Sequence, residues 1–392
     1  MKRILIITSI LPISNVNSKQ NENDIILRTE NNLIQYKKDV LIEYIFIQPR
    51  STFLLSLLNR KWKEYYQMQK KSEFDIKGKK IKILSLIMLP KQFLGGFFFN
   101  LSFFSKKSKL KKIILELKPD VIHAQDVYSA AFIARKLSKE FSIPYMVTLR
   151  FGYTKLTDLV KKNISYAKTL VAITPAQIKR TRLITTKEVH LIPHGVEPQF
   201  YNRKNILNIT SPIKLVFVGR IIKIKNIEII INSILDIGRN LFVFDIYGDG
   251  DQFENLEKLI INKGLQNEIK LKGKISHEKV SEILPMYDLF VMPSFPETFG
   301  RVYLEAMASS LPVIAAKNTG IDGFIEDGRE GFLVDVSSGD ELTERFKFIL
   351  DSPDILVEMS NNAFNFAQKY SWKKIIDILD DAYFNVINEV NN

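Results

Sequence analysis

Cysteine is absent from the 392 residues, which excludes a disulfide framework, a thiolate metal site and a thiol nucleophile. Histidine is scarce: His123, His190, His194 and His277 share no metal-binding spacing such as H-E-x-x-H. Glycine does not occur before Gly78, and only five of the 17 precede residue 196. Close backbone approach to a phosphate is therefore expected in the C-terminal half. Long apolar runs are missing too. Ile4–Ile7 is too short for a signal-peptide core. The twelve residues Phe93 to Phe104 (FLGGFFFNLSFF) fall well under the ~20 that a spanning helix needs. An intracellular protein that neither spans nor is exported is expected.

The composition that remains is ordinary for a globular protein, 46% apolar and 25% charged, and the length suits two domains. Acidic residues are thin in the first half. Residues 1–195 hold 35 Lys+Arg against 14 Asp+Glu, a charge of +21, while residues 196–392 carry −8 within the overall +13. This split points to two domains with different partners.

Short β-branched runs alternate with stretches of helical period, which predicts parallel α/β layers. The first set of strands is expected at 3–7, 40–47, 81–86, 121–124, 145–149, 169–173 and 189–192. The second is expected at 214–218, 242–247, 269–271, 289–292, 313–315 and 332–334. The asparagine-rich stretch from Tyr201 to Pro212 reads as a linker. These boundaries give an N-terminal domain over 1–200 and a C-terminal domain over 201–371, each doubly wound and Rossmann-like. The tail from 372 to 392 reads as an amphipathic helix, expected to pack back on the first domain.

The most informative stretch is Pro293 to Ala308 (PSFPETFGRVYLEAMA). Glu297 falls in a strand-to-helix turn, and Glu305 about one turn into the helix. First-turn amides lack internal partners and can hold a phosphate. Carboxylates nearby suit vicinal sugar hydroxyls, because each offers two acceptor oxygens to two donors; two solvated glutamates on a capped helix are the alternative. Val218-Gly219-Arg220 with Lys225 places a bidentate guanidinium and a compact ammonium after another strand. Gly248-Asp249-Gly250 reads only as a tight turn.

Taken in order, these stretches resemble the retaining nucleotide-sugar glycosyltransferases of family four. The matching residues are Gly219-Arg220 with Lys225, Gly248-Asp249-Gly250, and Gly273 with Ile275-Ser276-His277. They continue with Glu297-x7-Glu305, Pro312-Val-Ile-Ala315, Thr319-Gly320 and Gly328-x-x-Gly331-Phe-Leu-Val334. Fainter likeness extends to Ile192-Pro-His-Gly-Val196 and Pro119-Asp-Val-Ile-His123. The resemblance implies a GT-B fold, two Rossmann-like domains facing a central cleft, with a nucleotide-sugar donor, UDP-sugar favoured.

By that resemblance Arg220 and Lys225 neutralise the departing diphosphate, and Glu297 holds donor sugar hydroxyls. Gly219, Thr298, Phe299, Gly300 and Arg301 complete the donor site around the sugar and phosphate. Glu305 takes the ribose, and Ile275 meets the base. His123 joins the catalytic set, with a buried strand-end histidine as the alternative. No metal and no further cofactor is implied, since cationic side chains and helix termini carry the charge. Two places depart from the pattern. The loop Thr8 to Gln20 has no glycine where relatives often have a pair, and Gln125 stands where relatives often carry a histidine. A non-catalytic nucleotide-sugar-binding subunit and a nucleotide-sugar epimerase on the same fold remain as alternatives.

The basic half carries a second message. Residues 53–71 combine Phe53, Leu54, Leu55, Leu57, Leu58, Trp62, Tyr65 and Tyr66 with Arg60, Lys61, Lys63, Lys70 and Lys71, and Lys106, Lys107, Lys109, Lys111 and Lys112 follow the phenylalanine run. Apolar anchors beside lysines suit an anionic membrane surface; a core helix with a solvated lysine face is the alternative. No nucleic-acid motif is present. The expected setting is the cytoplasmic face of the plasma membrane, where a lipid-linked or oligosaccharide acceptor is extended into a surface polysaccharide or glycolipid.

Overall fold

The computed structural model describes residues 1–9, 25–58, 60–76, 78–87, 95–150, 157–202, 209–338 and 340–388. They form two compact units. The first comprises Met1–Ile173, Gln177–Ile192 and Ile376–Asn392, and the second Thr174–Ala176 and Pro193–Ile375. The division falls at Ile192, ahead of the asparagine-rich stretch, whose residues 203–208 lie outside the described residues, as does the first loop from residue 10 onward.

The first unit holds β1 (Lys2–Thr8), β2 (Val40–Pro49), β3 (Glu73–Ile76), β4 (Lys79–Leu86), β5 (Val121–Ala124), β6 (Tyr145–Thr148), β7 (Thr169–Ala172) and β8 (Val189–Leu191). Their order in the sheet is β3-β4-β2-β1-β5-β6-β7-β8. The central strands are buried on both faces, so they read as unbroken apolar runs such as Ile4–Ile7. β3 has no counterpart in the expected strands. It is a four-residue edge strand, antiparallel to β4, with Phe74 and Ile76 buried and Glu73 and Asp75 exposed. Its turn closes at Gly78, whose φ of +80° suits glycine and whose N–H donates to Asp75 Oδ1 at 2.8 Å.

The second unit holds β9 (Ile213–Val218), β10 (Phe242–Tyr247), β11 (Ile269–Gly273), β12 (Leu289–Met292), β13 (Val313–Ala316) and β14 (Gly331–Val334), ordered β11-β10-β9-β12-β13-β14. Every pairing is parallel. The chain winds outward from β9 through β10 and β11, then returns to the other side of β9 with β12. The carboxyl ends of β9 and β12 thus flank a topological switch point, where open α/β sheets bind ligands. β1 and β5 make the equivalent point in the first unit.

The phenylalanine run divides. Phe93 lies outside the described residues, and the helix begins at Gly95 and continues to Leu117. Phe99 and Phe103 point into the core with Leu110, Ile114 and Leu117, and the Phe99 ring lies 5.4 Å from that of Phe132. Leu101 and Phe104 are exposed. Helical periodicity accounts for the split, since positions four apart share a face. Phe99 and Phe103 thus belong to the core and are not free to enter a membrane; the side chains of Phe97 and Phe98 lie outside those described.

The C-terminal helix, Trp372–Asn388, buries Ile375, Ile376, Leu379, Tyr383 and Val386. From Ile376 onward it belongs to the first unit, where Asp380 pairs with Lys2, and Lys37 Nζ lies 2.9 Å from Asp377. Its first four residues, Trp372 to Ile375, stay with the second unit. There the Trp372 indole occupies the space a side chain at Gly195 would need, 2.4 Å from a Cβ placed there.

Phe99→Ala and Phe103→Ala should each destabilise the protein by about 3–5 kcal/mol, the usual cost of emptying a buried phenylalanine site. Phe104→Ala should stay within about 0.5 kcal/mol of the parent. Denaturant melts of the three variants check this; equal effects would mean that the helix does not pack as described.

Candidate functional site

In the second unit the loops that leave β9 and β12 are laced together. After Gly219 the chain passes Arg220, makes a 3-10 turn over Lys223–Lys225, and reaches Asn226 in the left-handed region. Asn226 Nδ2 donates to the Pro293 carbonyl at 2.8 Å. The Ile224 carbonyl accepts from the Phe295 N–H at 2.8 Å and the Ser294 hydroxyl at 3.2 Å. These bonds bring Lys225 Nζ to 2.6 Å from Glu297 Oε2, with the two side chains 12% and 15% exposed.

Glu297 is held from both sides. Its Oε1 accepts from the Thr298 N–H at 2.9 Å. The Thr319 hydroxyl accepts from the Glu297 N–H at 2.6 Å and donates to its carbonyl at 2.7 Å. Gly320 N–H reaches the same carbonyl at 3.0 Å. Arg220, by contrast, is exposed, and among the described residues no carboxylate pairs with it.

Beyond Glu297, Thr298 is exposed and Phe299 is buried, its ring 5.1 Å from His194 and 5.5 Å from Phe324. Only the backbone of Phe299 is therefore available for a ligand. Gly300 has φ +75°, and a Cβ there would stand 2.4 Å from the Tyr303 ring, so the position requires glycine. Gly300 caps the helix Arg301–Ala308 with no side-chain hydrogen bond, and no acidic residue lies in the first turn. Its first amides thus keep their capacity for an anion. Arg301 stands half-exposed at that turn. Tyr303 donates to the Met292 carbonyl, and burial, then the charge of Glu297, holds its phenol well above its ordinary pKa.

Glu305 takes a different partner. The Nε2–H of His277 donates to its Oε1 at 2.9 Å, both side chains being largely buried, and the His277 ring lies 4.9 Å from that of Phe200. Ile275 stands half-buried just before Ser276, whose Oγ caps the helix His277–Ile283. The Gly248-Asp249-Gly250 turn has a packing reason. A Cβ at Gly248 would fall 1.8 Å from the Gly219 carbonyl oxygen, and one at Gly250 2.1 Å from that of Ile221. These glycines let one loop lie against the backbone of another. That contact also explains what holds Gly219, whose N–H donates to the Tyr247 carbonyl.

His123 lies in the first unit, at the carboxyl end of β5. Its Nδ1 meets the Tyr383 hydroxyl at 2.6 Å and its Nε2 the Thr148 hydroxyl at 2.8 Å. Burial, and then the charge of Arg150, lowers its pKa to about 3. Gln125 places Nε2 at 3.4 Å from both ring nitrogens, and its Oε1 accepts from Arg150 Nε at 3.3 Å. Asp126 is capped by the Ser9 hydroxyl at 2.8 Å and the Tyr128 and Ala130 amides, and burial raises its pKa.

Two family models cover these elements. That for glycosyl transferases group 1 matches residues 199–366, and that for glycosyltransferase family 4 matches residues 77–200. The alpha-monoglucosyldiacylglycerol synthase of Acholeplasma laidlawii is 26% identical over 78% of this chain and 84% of its own. The chain belongs to the family-four glycosyltransferases. Its fold is GT-B. Sucrose-phosphate synthase from Thermosynechococcus elongatus superposes with a TM-score of 0.71 at 16% identity, covering 99% of this chain and 100% of that one. HepE of Anabaena, solved in complex with UDP, gives 0.69 at 18% identity, covering 97% and 99%.

The glycosyltransferase thus places Lys225 and Glu297 in direct contact, and Arg220 on the same loop as Lys225. Glu305 is paired elsewhere, with His277. Sequence reasoning missed Thr319 as the clamp on Glu297, Asn226 as the tie between loops, and the His277–Glu305 pair. All three involve partners at least 22 residues apart, and no local pattern signals them. Among the described residues, no three His, Cys, Asp or Glu side chains are grouped to hold a metal ion.

The depressed pKa of His123 has a testable sign. Below pH 6.5 the unfolded chain gains a proton that the folded chain refuses until about pH 3. Stability from this site should therefore fall as pH drops through that window, by on the order of 1.4 kcal/mol per pH unit. His123→Gln should show a shallower acid limb in pH-dependent denaturation. Parallel curves for parent and variant would assign the titration to another group.

Proposed function

We propose that this glycosyltransferase transfers a sugar with retention from a nucleotide-sugar, a UDP-sugar being favoured, to a lipid-linked or saccharide acceptor in glycolipid or surface-polysaccharide synthesis. The observation that carries the donor reading is the Lys225–Glu297 pair at the β9/β12 switch point, beside the exposed Arg220 and the uncapped helix at Gly300. Lys225 has three donor hydrogens, so it can bridge Glu297 and a phosphate at once. The glucolipid product named for the Acholeplasma relative and the UDP bound by HepE support the acceptor and nucleotide classes.

In this reading the bond between the sugar C1 and the phosphate oxygen breaks as the acceptor oxygen attacks from the same face. The acceptor proton passes to the departing phosphate. Arg220, Lys225 and the first amides of the helix Arg301–Ala308 meet the negative charge that grows on the leaving group, and no metal is required. Preorganised donors of this kind are worth most in the transition state. Glu297 orients the sugar hydroxyls. Glu305, fixed by His277, takes the ribose, and the backbone at Ile275 meets the base. His123, neutral and with both ring nitrogens engaged, acts as a positioning residue for Thr148 and the C-terminal helix.

Arg220→Ala and Lys225→Ala should each lower turnover by about a hundredfold or more, with Arg220→Ala leaving the melting temperature unchanged because the side chain is exposed. Near-normal turnover of both with the true donor would refute the clamp.

Glu297→Gln should act mainly on kcat, whereas Glu305→Gln should act mainly on nucleotide affinity, because ribose contacts are similar in ground and transition states. Titration of free UDP against both variants separates the roles. Equal losses of affinity would collapse the distinction. An acceptor-free assay in which the sugar nucleotide is epimerised would replace the transferase reading altogether.

A further inference from the structure

The first unit carries a second feature that the donor chemistry does not use. The register of β3 on β4 ends at Lys82. Ile83, the next residue, receives backbone support from Ser72, whose carbonyl accepts its N–H at 2.9 Å. A cavity of about 340 Å³ lies against this part of β4. Of its eight lining residues five are cationic and none is acidic: Arg50 follows β2, Lys70 and Lys71 precede β3, and Lys106 and Lys109 stand one turn apart on the helix Gly95–Leu117.

Two of the cations are held in place without being neutralised. Lys109 Nζ donates to the Ile83 carbonyl at 2.9 Å, and Lys70 Nζ sits 4.7 Å above the Tyr66 ring. Gln69 fixes the loop by exchanging two hydrogen bonds with the Ser51 backbone, at 3.0 and 2.6 Å. Among the described residues no carboxylate pairs with Arg50, Lys70, Lys71 or Lys106. Burial, and then the Lys106 charge, holds the Lys109 ammonium below its usual pKa against the opposing charge of Glu73. Such a cluster is matched by an anion of concentrated charge.

An apolar surface adjoins it. Phe53, Leu54, Leu57 and Leu58 are 61–74% exposed on one short helical turn. A second cavity, of about 490 Å³, is lined by Phe53, Leu57 and Tyr66, and shares Lys70 with the first. Four large apolar side chains in six residues, facing water beside a cationic pocket, fit a ligand with an anionic head and a hydrocarbon body.

We propose that this pocket binds the phosphate headgroup of an anionic membrane lipid, while Phe53, Leu54, Leu57 and Leu58 enter the acyl region. The proposal rests on the reading that the enzyme works at a membrane, and it assigns that contact to a defined surface other than the phenylalanine run. Three of the four exposed apolar side chains are leucines, which offer no stacking face for bases, so the surface favours lipid over nucleic acid.

The full-length protein should cosediment with phosphatidylcholine vesicles containing phosphatidic acid, and far less with phosphatidylcholine alone. Lys70→Gln/Lys71→Gln/Lys106→Gln should weaken the first by about a hundredfold, on the order of fivefold per charge removed. Phe53→Ser/Leu57→Ser should remove the binding that survives high salt, because inserted apolar groups are not screened. These side chains are exposed or half-exposed, so both variants should keep the parent melting curve and the thermal shift given by UDP. That shift separates this surface from the donor site: vesicle binding lost with the UDP shift intact in the parent overturns only the lipid proposal. A missing UDP shift beside normal vesicle binding overturns only the donor reading. Saturation by inorganic phosphate, with vesicle binding indifferent to Phe53 and Leu57, would reassign the pocket to a soluble phosphate. Tighter binding of single-stranded RNA than of vesicles would reassign it to nucleic acid.

Discussion

The pairing of Lys225 with Glu297 is the constraint on which the second unit's ligand end depends. Both side chains are mostly withdrawn from water, and removing either partner would leave an uncompensated charge, typically at a cost of about 3–5 kcal/mol. The loops that carry them follow β9 and β12, which are hydrogen-bonded neighbours. The pair therefore needs both loops at one height and one spacing. Asn226, Ser294 and Phe295 supply the backbone bonds that hold this spacing, and Thr319 grips the chain on the far side of Glu297. An ammonium fixed in this way does not have to be recruited when negative charge develops nearby.

Close backbone packing is the second constraint. Gly248 and Gly250 lie against the carbonyls of Gly219 and Ile221 at distances that no side chain tolerates. The loop bearing Arg220 is thereby supported from below by another loop instead of by side chains. Its guanidinium projects outward from a rigid base. The same logic recurs at Gly300, where the Tyr303 ring fills the space beside the helix start.

The first unit is organised by a different balance. At its ligand end His123 is neutral and satisfied between Tyr383 and Thr148, so its burial carries little electrostatic penalty. The unit's excess of positive charge is left on the surface, where Arg50, Lys70, Lys71 and Lys106 surround one cavity. A charged group that finds no partner within its own fold is available to a ligand. In this unit the cations are surplus, whereas in the second the ammonium of Lys225 is already matched.

The amino-acid sequence by itself determined the layered α/β architecture, because buried parallel strands are continuous apolar runs that local pattern reveals. Every strand but one was legible in this way. β3 was not, since Glu73–Ile76 is a short half-exposed edge strand whose existence depends on pairing with β4. Glu297, Glu305, Arg220 and Lys225 were also legible, as residue types at the ends of strands and the start of a helix. Their pairing was not. Lys225 and Glu297 are 72 residues apart, and the two glutamates eight apart take different partners because β12 packs against β9 while Glu305 turns toward His277. The fate of the phenylalanine run was likewise a tertiary matter. Composition alone could not decide which rings face the sheet, and the helix phase sent Phe99 and Phe103 inward. Local sequence sets which chemistry each segment carries, but charge pairing and burial depend on distances between segments, and only the packed chain supplies those.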